Sequence, residues 1–135
     1  MVDYVLFNPS VHMVEFKRMN IEYLTWWAEQ AKERYQIEFS ISSIPKYVED
    51  NLESFMSWKP PNGVLYIIEE NGTVAGMGGL RKLRETVGEL KRMYIRPQYR
   101  GNGYGKQMAL RLLEEGRRAR CAHDARNNFI KRIRL

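Results

Sequence analysis

The sequence predicts an α+β (mixed α/β) fold. Two long stretches rich in helix formers occupy roughly the first 58 residues. Residues 64–95 then switch to β-branched and aromatic runs punctuated by turn signals. A glycine-rich turn at 101–105 opens one more helical stretch. The order is strand, two helices, three strands in antiparallel succession, a glycine turn, a helix and a fragment of strand, which selects a sheet with helices packed on it. No repeat, low-complexity tract or interdomain linker interrupts it, so residues 1–135 read as a single domain.

Asp3–Phe7 is a short β-branched and aromatic run, a strand. Asn8-Pro9 reads as a helix N-cap with proline in the first turn, and the helix runs to about Tyr35. Met13, Phe16, Asn20, Leu24, Trp27, Ala31 and Tyr35 approximate its apolar face, with a break near Asn20 allowed by the pattern. Ser43-Ile44-Pro45 opens a second helix to about Trp58, and Pro60-Pro61-Asn62-Gly63 closes it with a loop. Val64–Glu70, Asn71-Gly72 and Thr73–Met77 form a hairpin whose second arm can extend to Leu83; Asn-Gly is the strongest short hairpin signal. Arg84–Gly88 is a second connection and Glu89–Ile95 a third strand, ended by Pro97, which cannot donate to a ladder. Lys106 to about Arg118 is a helix with Met108, Ala109, Leu112 and Leu113 inward, and Ile130–Leu135 is a final strand.

Composition excludes several classes. The chain is long enough to bury roughly two-thirds of its unfolded surface, so it needs no disulfide framework. Its one cysteine, Cys121, has no intramolecular partner, which suits a reducing compartment. No apolar run approaches a membrane span, and the N-terminus lacks a signal-peptide pattern, so a soluble, cytoplasmic domain is expected. The net charge of +6 is confined to residues 117–135, where seven basic residues face Asp124 alone. A basic tail can bind nucleic acid, but a solvated helix end followed by a basic strand accounts for it, and a nucleic-acid partner is not expected. His12 and His123 stand apart with no Cys/His/Asp cluster, so no metal site is expected. Trp26, Trp27 and Trp58 serve either an acceptor pocket or the core.

The glycine turn carries the chemistry. The first N–H groups of a helix have no internal acceptor, the helix dipole adds positive charge there, and glycines let backbone close on a phosphate. Arg100 and Lys106 flank the turn. A Walker A loop fails because Gln107 follows Gly105-Lys106, and a dinucleotide fingerprint fails because Lys106 stands where its third glycine belongs. Residues 92–106, with Arg100-Gly-Asn-Gly-Tyr-Gly105 at a strand-to-helix turn, resemble the acetyl-CoA signature of the GNAT superfamily of N-acetyltransferases. The resemblance extends over roughly residues 1–118, through the Asn71-Gly72 hairpin and the two N-terminal helices.

The resemblance implies a central, mostly antiparallel sheet flanked by helices, with acetyl-CoA as acetyl donor and an amine, small molecule or peptide, as acceptor. Main-chain groups of Met93, Tyr94 and Ile95 are then expected along the pantetheine arm. The amides of Gly101, Asn102, Gly103, Tyr104, Gly105 and Lys106 hold the pyrophosphate, with Arg100 at its edge. Glu89, early in the central strand, matches the family's general base; Glu69 and Glu70 are weaker candidates. The general-acid tyrosine of the family has no counterpart. Residues 117–129 replace the family's short link to its next strand, which Ile130–Leu135 could supply, so the C-terminal part is expected to be truncated or altered and activity impaired. The open edge this leaves invites a homodimer by strand exchange. The rival expectation is a non-catalytic module on the same fold, either a coenzyme A sensor or a binder of nucleic acid or protein through the basic tail.

Overall fold

A computed structural model of the chain describes residues 1–59, 62–84 and 87–118. Pro60 and Pro61 of the first loop, Cys121, His123, most of the basic tail and the strand expected at Ile130–Leu135 lie outside the described residues. The elements are β1 (Val2–Leu6), α1 (Pro9–Tyr35), α2 (Ile44–Asp50), α3 (Leu52–Met56), β2 (Gly63–Glu70), β3 (Thr73–Arg84), β4 (Val87–Ile95) and α4 (Tyr104–Arg118). Short 3₁₀ turns precede α2 and α4. The mixed α/β fold is as the sequence predicts. The chain divides into two compact units, Asn8–Met56 on the one hand, Met1–Phe7 with the chain from Ser57 onward on the other.

In the helical unit, the Asn8 side chain caps α1 by accepting from the Ser10 amide at 3.0 Å, with Pro9 in the first turn. His12 Nδ1 accepts the Asn8 amide at 2.9 Å, so this buried histidine serves the cap. The helix passes Asn20 unbroken; Asn20 is buried and its Nδ2 donates to the Phe16 carbonyl at 2.8 Å. The buried residues are His12, Phe16, Met19, Asn20 and Ala28. The face is therefore offset from the one expected: Trp27 and Tyr35 are exposed. The second helix is two pieces, because the Asn51 side chain and amide both bond the Tyr47 carbonyl and end α2 there. Ala28, Ile44 and Val48 form this unit's own core.

The other unit is a four-stranded antiparallel sheet in the order β1-β2-β3-β4, with α4 packed on one face. Asn71 and Gly72 both adopt positive φ, 52° and 82°, the turn that matches strand twist. Val64, Ile68, Ala75, Leu80 and Leu90 from the strands meet Met108 and Leu112 from α4 in one core. Each such side chain contributes about 1.5–3 kcal/mol by leaving water. Leu113 is half-buried at the margin of this core. Gly78 permits the close approach: a Cβ there would stand 2.6 Å from Met108 Cγ and 2.8 Å from Met93 Sδ. On the opposite face the Trp58 ring covers Gly79, so Trp58 is a packing residue. α4 is further tied to the strands by the Tyr66 hydroxyl, which donates to Glu115 at 3.0 Å, and by Arg111, whose guanidinium lies 4.6 Å from the Tyr4 ring centre.

Candidate functional site

β4 is the last strand of the described sheet, and it is not straight. Met77 pairs with Tyr94 but Gly79 pairs with Lys91, so Gly78 faces two residues, Arg92 and Met93. This is a β-bulge, with Arg92 in the left-handed region at φ 56°. Beyond it the Arg96 amide donates to the Ala75 carbonyl at 2.9 Å. Strand alternation then turns the backbone groups of Tyr94 toward β3, as those of Arg96 are, and those of Ile95 away from it. The Ile95 carbonyl is met there by Arg100 Nε at 2.8 Å, while the Arg100 guanidinium lies 5.6 Å from the buried Tyr94 ring. Met93 points its side chain toward Gly78 and α4.

The chain next makes one 3₁₀ turn, Pro97–Tyr99, and enters the glycine segment. Gly101 and Gly103 take φ of 87° and 78°, and a Cβ built on either would have no atom within 4 Å. Asn102 Nδ2 donates to the Tyr99 carbonyl at 3.0 Å and closes the turn from behind. The first bond into α4 runs from the Gln107 amide to the Gly103 carbonyl at 3.1 Å. Helix geometry thus leaves the amides of Gly103, Tyr104, Gly105 and Lys106 without an intrahelical acceptor. Gly101, Asn102, Gly103 and Lys106 are exposed, and Tyr104 and Gly105 half-buried. Unspent amides, dipole and the Lys106 charge all favour an anion in the open space before the turn. The residues present therefore fit a diphosphate.

Tyr104 pins this helix end to the hairpin. Its hydroxyl donates to Glu70 Oε1 at 2.6 Å, and the bond holds the phenol pKa up at about 12. Glu70, read from sequence as a weak base candidate, is occupied as that anchor. Its register neighbourhood could not show this, since Tyr104 lies 34 residues away.

Glu89 sits on the sheet face opposite α4, directly across from Arg81. Its side chain is only 8 % exposed. Arg81 Nη2 stands 3.3 Å from Oε2 and Lys91 Nζ 3.5 Å from Oε1, so each oxygen has its own cation. Burial of a carboxylate at this depth requires such compensation. Sequence reasoning missed Arg81 and Lys91. The period-2 spacing of Glu89 and Lys91 was a usable signal; the cross-strand partner needed the register. Glu69 is half-buried in β2. Trp26 and Trp27 are exposed and meet edge to face at 5.3 Å. Among the described residues no group of three or more His, Cys, Asp or Glu could hold a metal ion, and no helix is long and apolar enough to cross a membrane.

Comparison with known proteins completes the picture. The model of the acetyltransferase (GNAT) family matches residues 20–130. Among curated proteins no sequence relative matches. Similar solved structures include a GNAT-family acetyltransferase from Staphylococcus aureus, at 19 % identity and TM-score 0.59, covering 87 % of this chain and 67 % of that one. Another is the PaiA N-acetyltransferase of Thermoplasma acidophilum in complex with coenzyme A, at 14 % identity and TM-score 0.67, covering 87 % of this chain and 73 % of that one. At such identities the likeness is one of fold.

Proposed function

The chain belongs to the acetyltransferase (GNAT) family and so is an acetyl-CoA-dependent N-acetyltransferase, and we propose that it moves the acetyl group to a primary amine by direct attack in a ternary complex. The observation that carries this reading is the row of unspent, accessible amides at the α4 N-terminus, placed just beyond β4, the last strand of the sheet among the described residues. Acetyl-CoA would supply an acyl carbonyl already activated as a thioester.

The amides of residues 101–106, with Lys106, anchor the diphosphate. Arg100 is already engaged with the Ile95 carbonyl, so it acts first on the strand end and reaches the phosphates through its remaining N–H groups. The edge of β4 at Met93 and Ile95 guides the pantetheine arm back toward the bulge. Holding donor and acceptor in line supplies a large part of the rate enhancement, about 7–11 kcal/mol in well-oriented intramolecular reactions. Glu89 takes the proton of the acceptor ammonium, through a water where the distance requires it. The charge of that carboxylate is kept in place by Arg81 and Lys91. The strand-exchanged homodimer read from the sequence would pair at β4, which among the described residues has β3 as its one neighbour.

Calorimetric titration with acetyl-CoA, followed by thiol release over a panel of amines, tests the reading. Binding with thiol release is expected. Binding without release from any amine leaves a coenzyme A sensor, and no binding at all overturns the reading.

A further inference from the structure

The charges around Glu89 carry information about the acceptor. On the sheet face opposite α4, Arg81 and Lys91 flank Glu89, and the three differ in depth: the carboxylate is 8 % exposed, the cations 40 % and 38 %. Among the described residues a buried negative charge thus lies beneath a partly exposed positive rim. Neither cation is used up. Charge-assisted N–H···O bonds run about 2.7–2.9 Å, and both contacts here are longer, 3.3 and 3.5 Å. Arginine has five donors and lysine three. The rim therefore has donors to give to a second anion.

Its position matters equally. Lys91 pairs with Gly79, immediately before the bulge at Arg92–Met93. From Ile95 back to Lys91 is about 13 Å of strand at the usual rise. An arm anchored at residues 101–106 and laid back along the β4 edge brings its far end to this place. An acceptor amine arrives as an ammonium and suits Glu89. The rest of the acceptor meets Arg81 and Lys91.

We propose that the acceptor is a primary amine that carries its own anionic group, a carboxylate or a phosphate, which Arg81 and Lys91 recognise while Glu89 receives the ammonium. This rests on the acetyltransferase reading above. Polycationic acceptors are disfavoured, because each further positive charge meets the same rim.

The test uses acceptor pairs of similar amine basicity that differ in the anionic group alone: 4-aminobutyrate against its amide, and an aminoalkyl phosphate against the corresponding alcohol, with spermidine as the cationic extreme. The two anionic arms separate carboxylate from phosphate. The anionic member should show a kcat/KM about tenfold higher, the worth of two partly exposed ion pairs, and spermidine the lowest. In Lys91→Gln the ratio should fall to about half or less while coenzyme A affinity holds; Arg81→Gln is a second variant, and native melting is checked for both. Equal or better turnover of the neutral or cationic members overturns the proposal and leaves the acetyltransferase reading standing. If no amine turns over, calorimetry of the same pairs on protein loaded with desulfo-coenzyme A decides: preference for the anionic members supports the proposal, equal affinity ends it. Failure to bind coenzyme A at all removes the underlying reading, and the proposal with it.

Discussion

Replacing Gly103 with alanine separates the ligand role of the glycine turn from its backbone role. Gly103 has φ 78° and open space where a Cβ would stand. Gly72, in the hairpin turn, has φ 82° and the same open space. The left-handed region costs an L-residue about 1–2 kcal/mol, so both variants lose about the same stability. For a chain of this length that is roughly 3–4 °C of Tm per kcal/mol. Of the two, only Gly103 lies at the start of α4, beside the unspent amides. A methyl group there holds a phosphate away from at least one amide, and one such bond to a charged group is worth about 1.5–3 kcal/mol. Gly103→Ala should therefore bind coenzyme A roughly ten- to a hundred-fold more weakly, while Gly72→Ala binds as the parent does. Calorimetric titration gives the affinities and thermal melts the stabilities. Unchanged affinity in Gly103→Ala, or an equal loss in Gly72→Ala, would refute the anchor.

Glu89→Gln keeps the shape of the side chain and removes its charge, so kcat should fall at neutral pH by roughly the 10²–10⁴ of general-base catalysis, with coenzyme A affinity nearly unchanged; parental activity would dismiss it as base. Tyr104→Phe tests the pin on the turn. The fold favours the neutral phenol, whose pKa rises from 10.0 to about 12. Its stabilisation is whole below pH 10.0 and is lost as the pH climbs to about 12. Alkaline unfolding curves of the parent should show that loss and those of Tyr104→Phe should lack it. Met108→Ala should cost about 2–5 kcal/mol by denaturant titration, since Met108 is fully buried between α4 and the sheet; a smaller cost would mean that α4 is not held by this core.

How much of this the sequence shows depends on the range of the interaction concerned. The Asn8 cap, the Asn71-Gly72 turn and the end of β4 before Pro97 are local, and each is where the residues place it. The offset face of α1 was not legible by hydropathy: His12 goes inside because its ring accepts a backbone amide, and Trp27 stays out. Asn51 divides the second helix through a bond to Tyr47 that a propensity reading passes over. The Arg92 bulge leaves no composition signal, because the positive φ falls on a residue with no preference for it.

The site divides along the same line. Its anion-binding half is contiguous, Arg100 to Lys106, and could be read as a string because helix termini and glycines act on their own neighbours. The proposed acid–base half is not contiguous. Glu89 gains meaning only from Arg81, which β3–β4 pairing sets across from it. A carboxylate at a strand start is by itself a solvated charge; the same carboxylate 8 % exposed between two cations is a group the fold has invested in. The register of one strand pair thus converts an ambiguous glutamate into a charged site with a defined polarity. In the proposed reaction that polarity, a buried anion under a cationic rim, bears on the acceptor, where the glycine signature bears only on the donor.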